Sequence, residues 1–203
     1  VAVSNGIDLS KYKKDPKKEE VFRKHFNIQE GEKVVLCAGL YFRRKGIEDF
    51  VEVARRMPDV RFIWLGSINK WLIPRAIRRL VEKDHPSNVE FPGYFKGAVF
   101  QGAMTGADAF FFPSYEETEG IVVLEALAGH QHVVLRDIPV YHGWVDQESA
   151  ELCHSVDEFV DSLEKVLSGQ VDKRDAGDRV AQSRSIDLVA DQLVKAYQQV
   201  LEM

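Results

Sequence analysis

Two glutamates, Glu117 and Glu125, have the spacing of a pair that could act together. They are eight positions apart, with Glu117 in an acidic loop and Glu125 inside the apolar run Ile121–Ala128. Because this spacing corresponds to roughly two helical turns, both carboxylates could face one crevice at the edge of a sheet. A carboxylate inside an apolar run is costly to bury unless something pairs with it. The alternatives are a surface charge at Glu117 and a buried ion pair between Glu125 and Lys45 or Arg44.

An acidic, turn-forming loop separates two apolar runs around these glutamates. Ala109–Phe112 is stopped by Pro113, as expected for a buried parallel strand, and the second run begins after Gly120. Thr118 can cap the helix that follows, and Gly120 lets the backbone come close to a bound group. A strand, a loop and a helix N-terminus in this order predict an anion-binding site.

A basic loop lies between the first predicted strand and its helix, where the sequence reads Arg43-Arg44-Lys45-Gly46. Lysine offers a point charge and arginine a planar fork, so the loop could hold a diphosphate and neutralise it as a leaving group. The alternative is a solvated basic loop without a ligand.

The string from Pro113 to Glu125 resembles the donor-site motif of glycosyltransferase family 4, a large family of retaining enzymes with the two-domain GT-B fold. In that family the motif is a Pro-Ser strand end, a Glu, a glycine-containing loop and a second Glu on the following helix. The sequence Glu-Glu-Thr-Glu-Gly-Ile-Val-Val-Leu-Glu-Ala-Leu-Ala is most similar to that of bacterial diacylglycerol glucosyltransferases. The resemblance covers nearly all of the 203 residues and implies the C-terminal, donor-binding domain of such an enzyme.

The resemblance implies a role for individual residues of these loops. Glu117 would hydrogen-bond hydroxyls of the donor sugar and act in catalysis with Lys45 and Arg44. Glu125 would bind the two ribose hydroxyls of the nucleotide. Further donor contacts are implied at Arg43, Gly46, Gly93, Tyr94, Glu119, Gly120 and Ile121. The backbone N–H groups of the last three would lie near the sugar and the diphosphate, and Gly93 and Tyr94 near the nucleobase.

The implied activity is retaining transfer of a hexose from a nucleotide sugar, UDP-glucose by the closer resemblance, without a metal ion. Basic side chains and helix N-termini would supply the positive charge instead. The arginine that ends the first strand in this family is replaced here by Gly39 or Leu40, and Arg43 or Arg44 could substitute for it. Two alternatives stay open: a GT-B nucleotide-sugar epimerase, and a non-catalytic nucleotide-sugar-binding module, which the missing arginine favours.

The start of the chain bears on domain organisation. It begins at Val1 and runs at once into Ser4-Asn5-Gly6-Ile7-Asp8, which is similar to the segment between the two domains in the family. We therefore expect an opening segment at residues 1–14, a nucleotide-sugar-binding domain at 15–184 and a C-terminal helix at 185–203. The N-terminal, acceptor-binding domain would be missing, and the isolated fragment is expected to be inactive.

Apolar runs alternate with helical repeats along the chain, which predicts an α/β fold with a doubly wound parallel sheet, Rossmann-like. The resemblance adds that this sheet forms the C-terminal half of a GT-B fold. Strands are expected near 33–40, 60–65, 88–91, 109–112, 132–135 and 149–153. Helices are expected near 15–27, 47–54, 74–83, 121–128, 156–167, 173–183 and 187–202, with a weak one before Gly106.

Composition places the chain among soluble globular proteins. The net charge of −5, with both signs spread along the sequence, argues against a nucleic-acid partner. Cys37 and Cys153 lie in apolar contexts, which indicates buried reduced thiols and a cytoplasmic protein. No apolar run is long enough to span a membrane. The resemblance leaves open a membrane lipid acceptor and an association with the inner face of the cytoplasmic membrane.

Two other groups of residues have structural interpretations. His130, His132 and His142, with Asp137 nearby, lack the spacing of metal ligands, so we interpret them as structural or surface residues. Tyr141 and Trp144 could meet an acceptor or a lipid surface at the rim of a cleft, and core packing is the favoured alternative.

Overall fold

Six parallel strands form one sheet within residues 3–201, which the computed structural model describes apart from the side chain of Lys70. The strands are β1 Val34–Ala38, β2 Arg61–Leu65, β3 Val89–Gly93, β4 Ala109–Phe112, β5 Val133–Arg136 and β6 Glu151–Cys153. Their order in the sheet is β3-β2-β1-β4-β5-β6. The order reverses between β1 and β4, and open α/β sheets bind ligands at such a switch point.

Helices connect the strands and cover the sheet. They are α1 Pro16–His25, α2 Ile47–Arg56, α3 Arg75–Glu82, α4 Ala98–Gly106, α5 Ile121–Ala128, α6 Val156–Leu167, α7 Arg174–Ser183 and α8 Ile186–Leu201. Short 3-10 turns lie at Leu9–Tyr12, Arg43–Lys45, Lys70–Leu72 and Pro139–Tyr141. Within residues 3–201, no helix combines the length and the apolar character needed to cross a membrane. The predicted doubly wound, Rossmann-like α/β fold is confirmed.

The sequence of β4 explains how this strand is fixed. All of its residues are buried, as expected for a parallel strand with helices on both faces. Phe111 stacks on Phe50 of α2 with ring centroids 5.8 Å apart and contacts Phe159 of α6 at 4.8 Å. Phe110 and Phe112 point to the other face, where their rings stack 5.9 Å apart. The acidic loop therefore starts from a rigid strand end.

The weak helical signal before Gly106 has a packing reason. Helix α4 lies so close to α1 that a Cβ at Gly102 would be 2.0 Å from the carbonyl oxygen of Lys18. A Cβ at Gly106 would be 2.9 Å from the side chain of Glu19. Glycine has a low helix propensity, but this close approach requires it.

The opening segment lies beside the start of α8. The Ile7 amide donates to the Arg184 carbonyl at 2.9 Å, and the Ile186 amide donates to the Ile7 carbonyl at 2.8 Å. Val189 is buried against Gly6. Other apolar side chains of α8 are exposed, namely Ile186, Leu188, Leu193, Val194, Tyr197, Val200 and Leu201. The domain boundaries expected at 14/15 and 184/185 stay predictions.

Candidate functional site

The loops that follow β1 and β4 are in direct backbone contact at the switch point. Gly46 has φ 78°, and a Cβ there would be 2.3 Å from the carbonyl oxygen of Pro113. The Tyr115 amide donates to the Arg44 carbonyl at 2.8 Å, and the Arg44 guanidinium donates to the Glu116 carbonyl at 2.8 Å. Arg44 and Gly46 thus fasten the basic loop to the acidic loop.

Lys45 and Glu117 form an ion pair between these two loops. Lys45 Nζ lies 2.5 Å from Glu117 Oε1, and the two side chains are 12% and 8% exposed. The Ser114 hydroxyl donates to the same oxygen at 2.6 Å, and Lys45 Nζ lies 5.4 Å from the centroid of the Phe112 ring. When one partner of such a shielded pair is removed, the other charge is left uncompensated. The structure therefore brings together two residues predicted to act in catalysis, and each neutralises the other.

The cysteines are buried thiols. Burial raises the pKa of Cys37 well above its ordinary value, although the positive charge of Lys45 opposes this shift. Burial also raises the pKa of Cys153 to about 11. Both thiols therefore stay protonated at neutral pH and are poor nucleophiles.

The N-terminus of α5 lacks a side-chain cap. Thr118 as the cap is a wrong prediction, because Gly120 occupies the N-cap position with φ 80° and no side chain bonds to the first turn. A Cβ at Gly120 would lie 2.8 Å from the Tyr141 ring, so glycine is required here. The first N–H groups of the helix, including that of Ile121, are consequently left without a side-chain acceptor and could bind an anion.

Tyr141 packs behind Gly120 with a hydroxyl that has no partner. The side chain is fully buried, and its oxygen makes no hydrogen bond to any of the described residues. Burial raises its pKa, and the negative charge of Glu117 raises it further, so the hydroxyl is a neutral donor. The core-packing interpretation of Tyr141 is confirmed, but an unsatisfied buried hydroxyl destabilises the fold that contains it.

Glu125 is held by the opening segment rather than by the basic loop. The Tyr12 hydroxyl donates to Glu125 Oε1 at 2.5 Å. Burial raises the pKa of Glu125, and the hydrogen bond from Tyr12 and the charge of Lys11 offset only part of this shift. The alternative of an ion pair with Lys45 or Arg44 is therefore wrong. A ligand with hydroxyl donors would have to replace Tyr12 at this carboxylate.

Glu119 also binds the opening segment. Its carboxylate accepts hydrogen bonds from the Ser4 hydroxyl and from the Asn5 amide, the latter at 3.1 Å, and lies 3.7 Å from Arg184 Nη1. Burial alone would raise the pKa of Glu119, but these hydrogen bonds outweigh it and lower the pKa. The Glu119 side chain is thus committed, which leaves its backbone N–H as the group available for the predicted donor contact.

The remaining predicted contacts differ in their freedom to bind a ligand. Arg43 is exposed, and its guanidinium donates to Glu48 at 2.9 Å. Gly93 has φ 100°, a Cβ there would meet nothing within 4 Å, and its amide donates to the Tyr41 hydroxyl at 3.2 Å. Tyr94 is 71% exposed. The space beyond the end of β3 is therefore open, whereas Arg43 is engaged in a solvent-exposed ion pair.

The sequence patterns miss Arg136, a buried residue at the carboxyl edge of the sheet. It ends β5, pairs with Asp49, donates to the Pro113 carbonyl at 3.1 Å and lies 3.9 Å from the Tyr115 ring centroid. These contacts hold the point at which β4 turns into the acidic loop. The available signal was an arginine directly after the apolar Val133–Leu135, because a charge at the end of a buried strand needs partners.

Two of the three histidines, His130 and His142, each bond to a separate carboxylate. His130 Nε2 lies 2.9 Å from Asp175, and His142 Nε2 lies 2.8 Å from Asp137. Burial lowers the pKa of His132, which is therefore neutral at pH 7. Nowhere in the described ranges do three or more His, Cys, Asp or Glu side chains gather closely enough to hold a metal ion.

Sequence comparison relates the chain to known proteins along most of its length. The family described as "Glycosyl transferases group 1" matches residues 18–183. The chain is 49% identical over 205 residues to "Processive diacylglycerol alpha-glucosyltransferase" of Acholeplasma laidlawii, in a match that covers 100% of this chain and 61% of that protein. The chain thus spans less than two thirds of the relative's length.

Solved structures share the fold at low sequence identity. Sucrose-phosphate synthase from Thermosynechococcus elongatus superposes with a TM-score of 0.85 at 21% identity, covering 98% of this chain and 52% of that one. Anabaena Alr3699/HepE, in complex with UDP-glucose, superposes with a TM-score of 0.83 at 16% identity, covering 97% of this chain and 57% of that one.

Proposed function

The chain belongs to the group 1 glycosyl transferases, and from this premise we propose that it binds a nucleotide-sugar donor, UDP-glucose, at the switch point between β1 and β4. The transfer would move the hexose to an acceptor with retention of configuration. Support comes from the 49% identical diacylglycerol glucosyltransferase and from a fold neighbour whose structure contains UDP-glucose. The observation that carries the proposal is the shielded ion pair of Lys45 and Glu117 between the two switch-point loops.

Donor binding exchanges the partner of Lys45. The diphosphate replaces Glu117 as the anion next to the ammonium group, and the uncapped N–H of Ile121 at the start of α5 adds a donor. Negative charge on the diphosphate grows as its bond to the sugar breaks. Positive groups fixed at this position therefore stabilise the transition state more than the ground state. The exposed guanidiniums of Arg43 and Arg44 add positive charge at the rim.

Glu117, once released from Lys45, accepts hydrogen bonds from hydroxyls of the donor sugar. Glu125 exchanges the single donor of Tyr12 for the two ribose hydroxyls, which suits an acceptor-only carboxylate. Gly93 and Tyr94 border the open space beyond β3, where the nucleobase would lie.

We assign the acceptor site to a second domain. The chain covers 52% and 57% of two fold neighbours, and the exposed apolar side chains of α8 offer a surface for such a domain to cover. In this proposal residues 15–184 form the donor-binding domain, and residues 1–14 and 185–203 connect it to the rest. The acceptor would be a membrane lipid of the diacylglycerol class, met at the inner face of the cytoplasmic membrane.

Calorimetric titration with UDP, UDP-glucose and GDP tests the donor site. We expect selective binding of the two uridine ligands, and at least tenfold weaker binding by Lys45→Ala and Glu125→Ala. Lys165→Ala is the matched control, because this exposed lysine in the last turn of α6 makes no ion pair with any described residue. Equal binding of GDP and UDP, or unchanged binding by both site variants in folded protein, would contradict the proposal.

One observation favours a second candidate, a non-catalytic nucleotide-sugar-binding module. Leu40, one of the two positions at which the family's phosphate-binding arginine is expected, is 46% exposed and carries no charge. A chain that binds UDP-glucose, but that in complex with its second domain transfers no glucose to diacylglycerol in lipid vesicles, would support this candidate.

A further inference from the structure

We infer that the Trp71 patch, defined as Trp71, Leu72, Arg75, Arg78 and Arg79, docks the chain on bilayers that contain anionic phospholipids. Trp71 is 85% exposed and Leu72 is 68% exposed, side by side in the loop between β2 and α3. Single exposed apolar side chains are ordinary on protein surfaces, so exposure alone would carry no conclusion. The construction of the loop and the charge around it distinguish this pair.

The loop is built to hold these two side chains outward. Asn69 caps the turn, because its side chain accepts from the Trp71 amide at 3.1 Å and its carbonyl accepts from the Leu72 amide at 2.9 Å. Ile73, the next residue, is buried, and so is Ile77 in α3. The chain therefore uses Ile73 and Ile77 as anchors and presents the tryptophan and the leucine to the outside, although all four residues are apolar.

Three arginines next to the loop carry the positive charge of the patch, and one of them, Arg79, is also paired with Asp84. Arg75, Arg78 and Arg79 follow the i, i+3, i+4 spacing and so share one face of α3. The Arg78 guanidinium carbon lies 5.9 Å from the centroid of the Trp71 ring. The whole chain has a net charge of −5, so this local cluster is opposite in sign. Anionic head groups complement the guanidiniums, and tryptophan and leucine are suited to the boundary between head groups and acyl chains.

The position of the patch fits the proposed function. The link between the patch and a lipid acceptor rests on that function. Strand β2 lies next to β1 in the sheet, and the loops that follow parallel strands leave from the same edge. The patch is consequently on the edge that carries Lys45 and Glu117. A lipid acceptor would then reach the donor from the membrane to which the patch binds.

Vesicle flotation and tryptophan fluorescence test the docking without any nucleotide. Vesicles of phosphatidylglycerol mixed with phosphatidylcholine should bind the chain, and phosphatidylcholine alone should bind it at least about tenfold more weakly. Raised salt should weaken binding, since screening shortens the reach of the guanidinium charges. Trp64 is fully buried and Trp144 partly buried. The emission should therefore shift to shorter wavelength on binding, and Trp71→Phe should abolish the shift.

Variants separate the patch from general charge effects. Arg75→Gln combined with Arg78→Gln and Arg79→Gln should weaken vesicle binding at least about tenfold, and Trp71→Ser with Leu72→Ser should do the same. The control combines Lys13→Gln, Lys17→Gln and Lys24→Gln, which removes the same charge from other exposed positions and should leave binding within about twofold.

Three outcomes would overturn the inference: no vesicle binding, equal losses in the arginine variant and the lysine control, or self-association through Trp71 in ultracentrifugation without lipid. A titration of the same samples with UDP keeps the two proposals apart. A chain that binds UDP but not vesicles overturns the docking alone. A chain that binds vesicles through the patch but not UDP overturns the donor-site proposal alone.

Discussion

The two glutamates of the acidic loop and α5 are held in opposite ways. Glu117 pairs with a cation from the same edge of the sheet, Lys45, at 2.5 Å. Glu125 accepts from a neutral hydroxyl of the opening segment, that of Tyr12, and burial raises its pKa. The partner of each carboxylate therefore determines which part of the chain responds when a ligand takes its place.

Removal of Lys45 should have the largest effect on stability, because it leaves Glu117 charged and nearly buried without a partner. We expect Lys45→Ala to lower the free energy of unfolding by about 3–5 kcal/mol in urea denaturation. Lys165→Ala should change it by less than about 0.5 kcal/mol. Addition of Glu117→Gln to Lys45→Ala should recover most of the loss. If the double variant were no more stable than the single one, the ion pair would not be the cause.

Removal of the Tyr12 hydroxyl should have an intermediate effect and should change the pH dependence. Tyr12→Phe leaves Glu125 without its hydrogen-bond donor, so we expect a loss of about 1.5–3 kcal/mol in unfolding free energy at pH 7. The pKa of Glu125 is raised above its ordinary value of 4.5 in the folded chain, so the folded state retains this proton to higher pH than the unfolded state. The stabilisation of the folded chain by this protonated carboxyl is complete at pH values below the pKa in the unfolded chain. It is lost as the pH rises through the pKa in the folded chain.

The pH profile of unfolding can therefore be measured in two variants. Glu125→Gln should flatten the decline in stability above pH 4.5, the ordinary pKa of this carboxyl, and Tyr12→Phe should extend the decline to higher pH. A Glu125→Gln profile parallel to that of the wild type would show that this carboxyl does not cause the decline.

Removal of the Tyr141 hydroxyl should have the smallest effect on stability. It also tests whether Glu117 has a second hydroxyl donor besides Ser114. Because this buried oxygen has no partner among the described residues, we expect Tyr141→Phe to leave the unfolding free energy unchanged or to raise it by up to about 1 kcal/mol. Tyr41→Phe is the matched control, since that buried hydroxyl accepts from the Gly93 amide at 3.2 Å and its removal should destabilise the fold. Equal losses in both variants would mean that the Tyr141 hydroxyl has an acceptor, and Glu117 is the candidate because its negative charge raises the pKa of Tyr141.

The fold was predictable from the sequence, whereas the pairing within the site was predictable only in part. Buried runs such as Ala109–Phe112 are local patterns, and their alternation with helices determines the sheet. Lys45 and Glu117 were identified separately, but their pairing depends on the backbone contact of Gly46 with Pro113.

The partners of Glu119 and Glu125 were not predicted at all. Ser4 is 115 positions from Glu119, and Tyr12 is 113 positions from Glu125. No periodicity or spacing reports contacts at such distances along the chain. The residue types alone could state only that a carboxylate in an apolar run needs a donor.

The hydrogen-bonded crossing of Ile7 and Ile186 has a mechanical consequence. It fastens two chain segments that are far apart in the sequence, so the segments cannot separate there without breaking both bonds. Glu119 contacts both segments, through Ser4 on one and Arg184 on the other. Since Glu119 is two positions from Glu117, its carboxylate connects both segments to the loop that carries the ion pair.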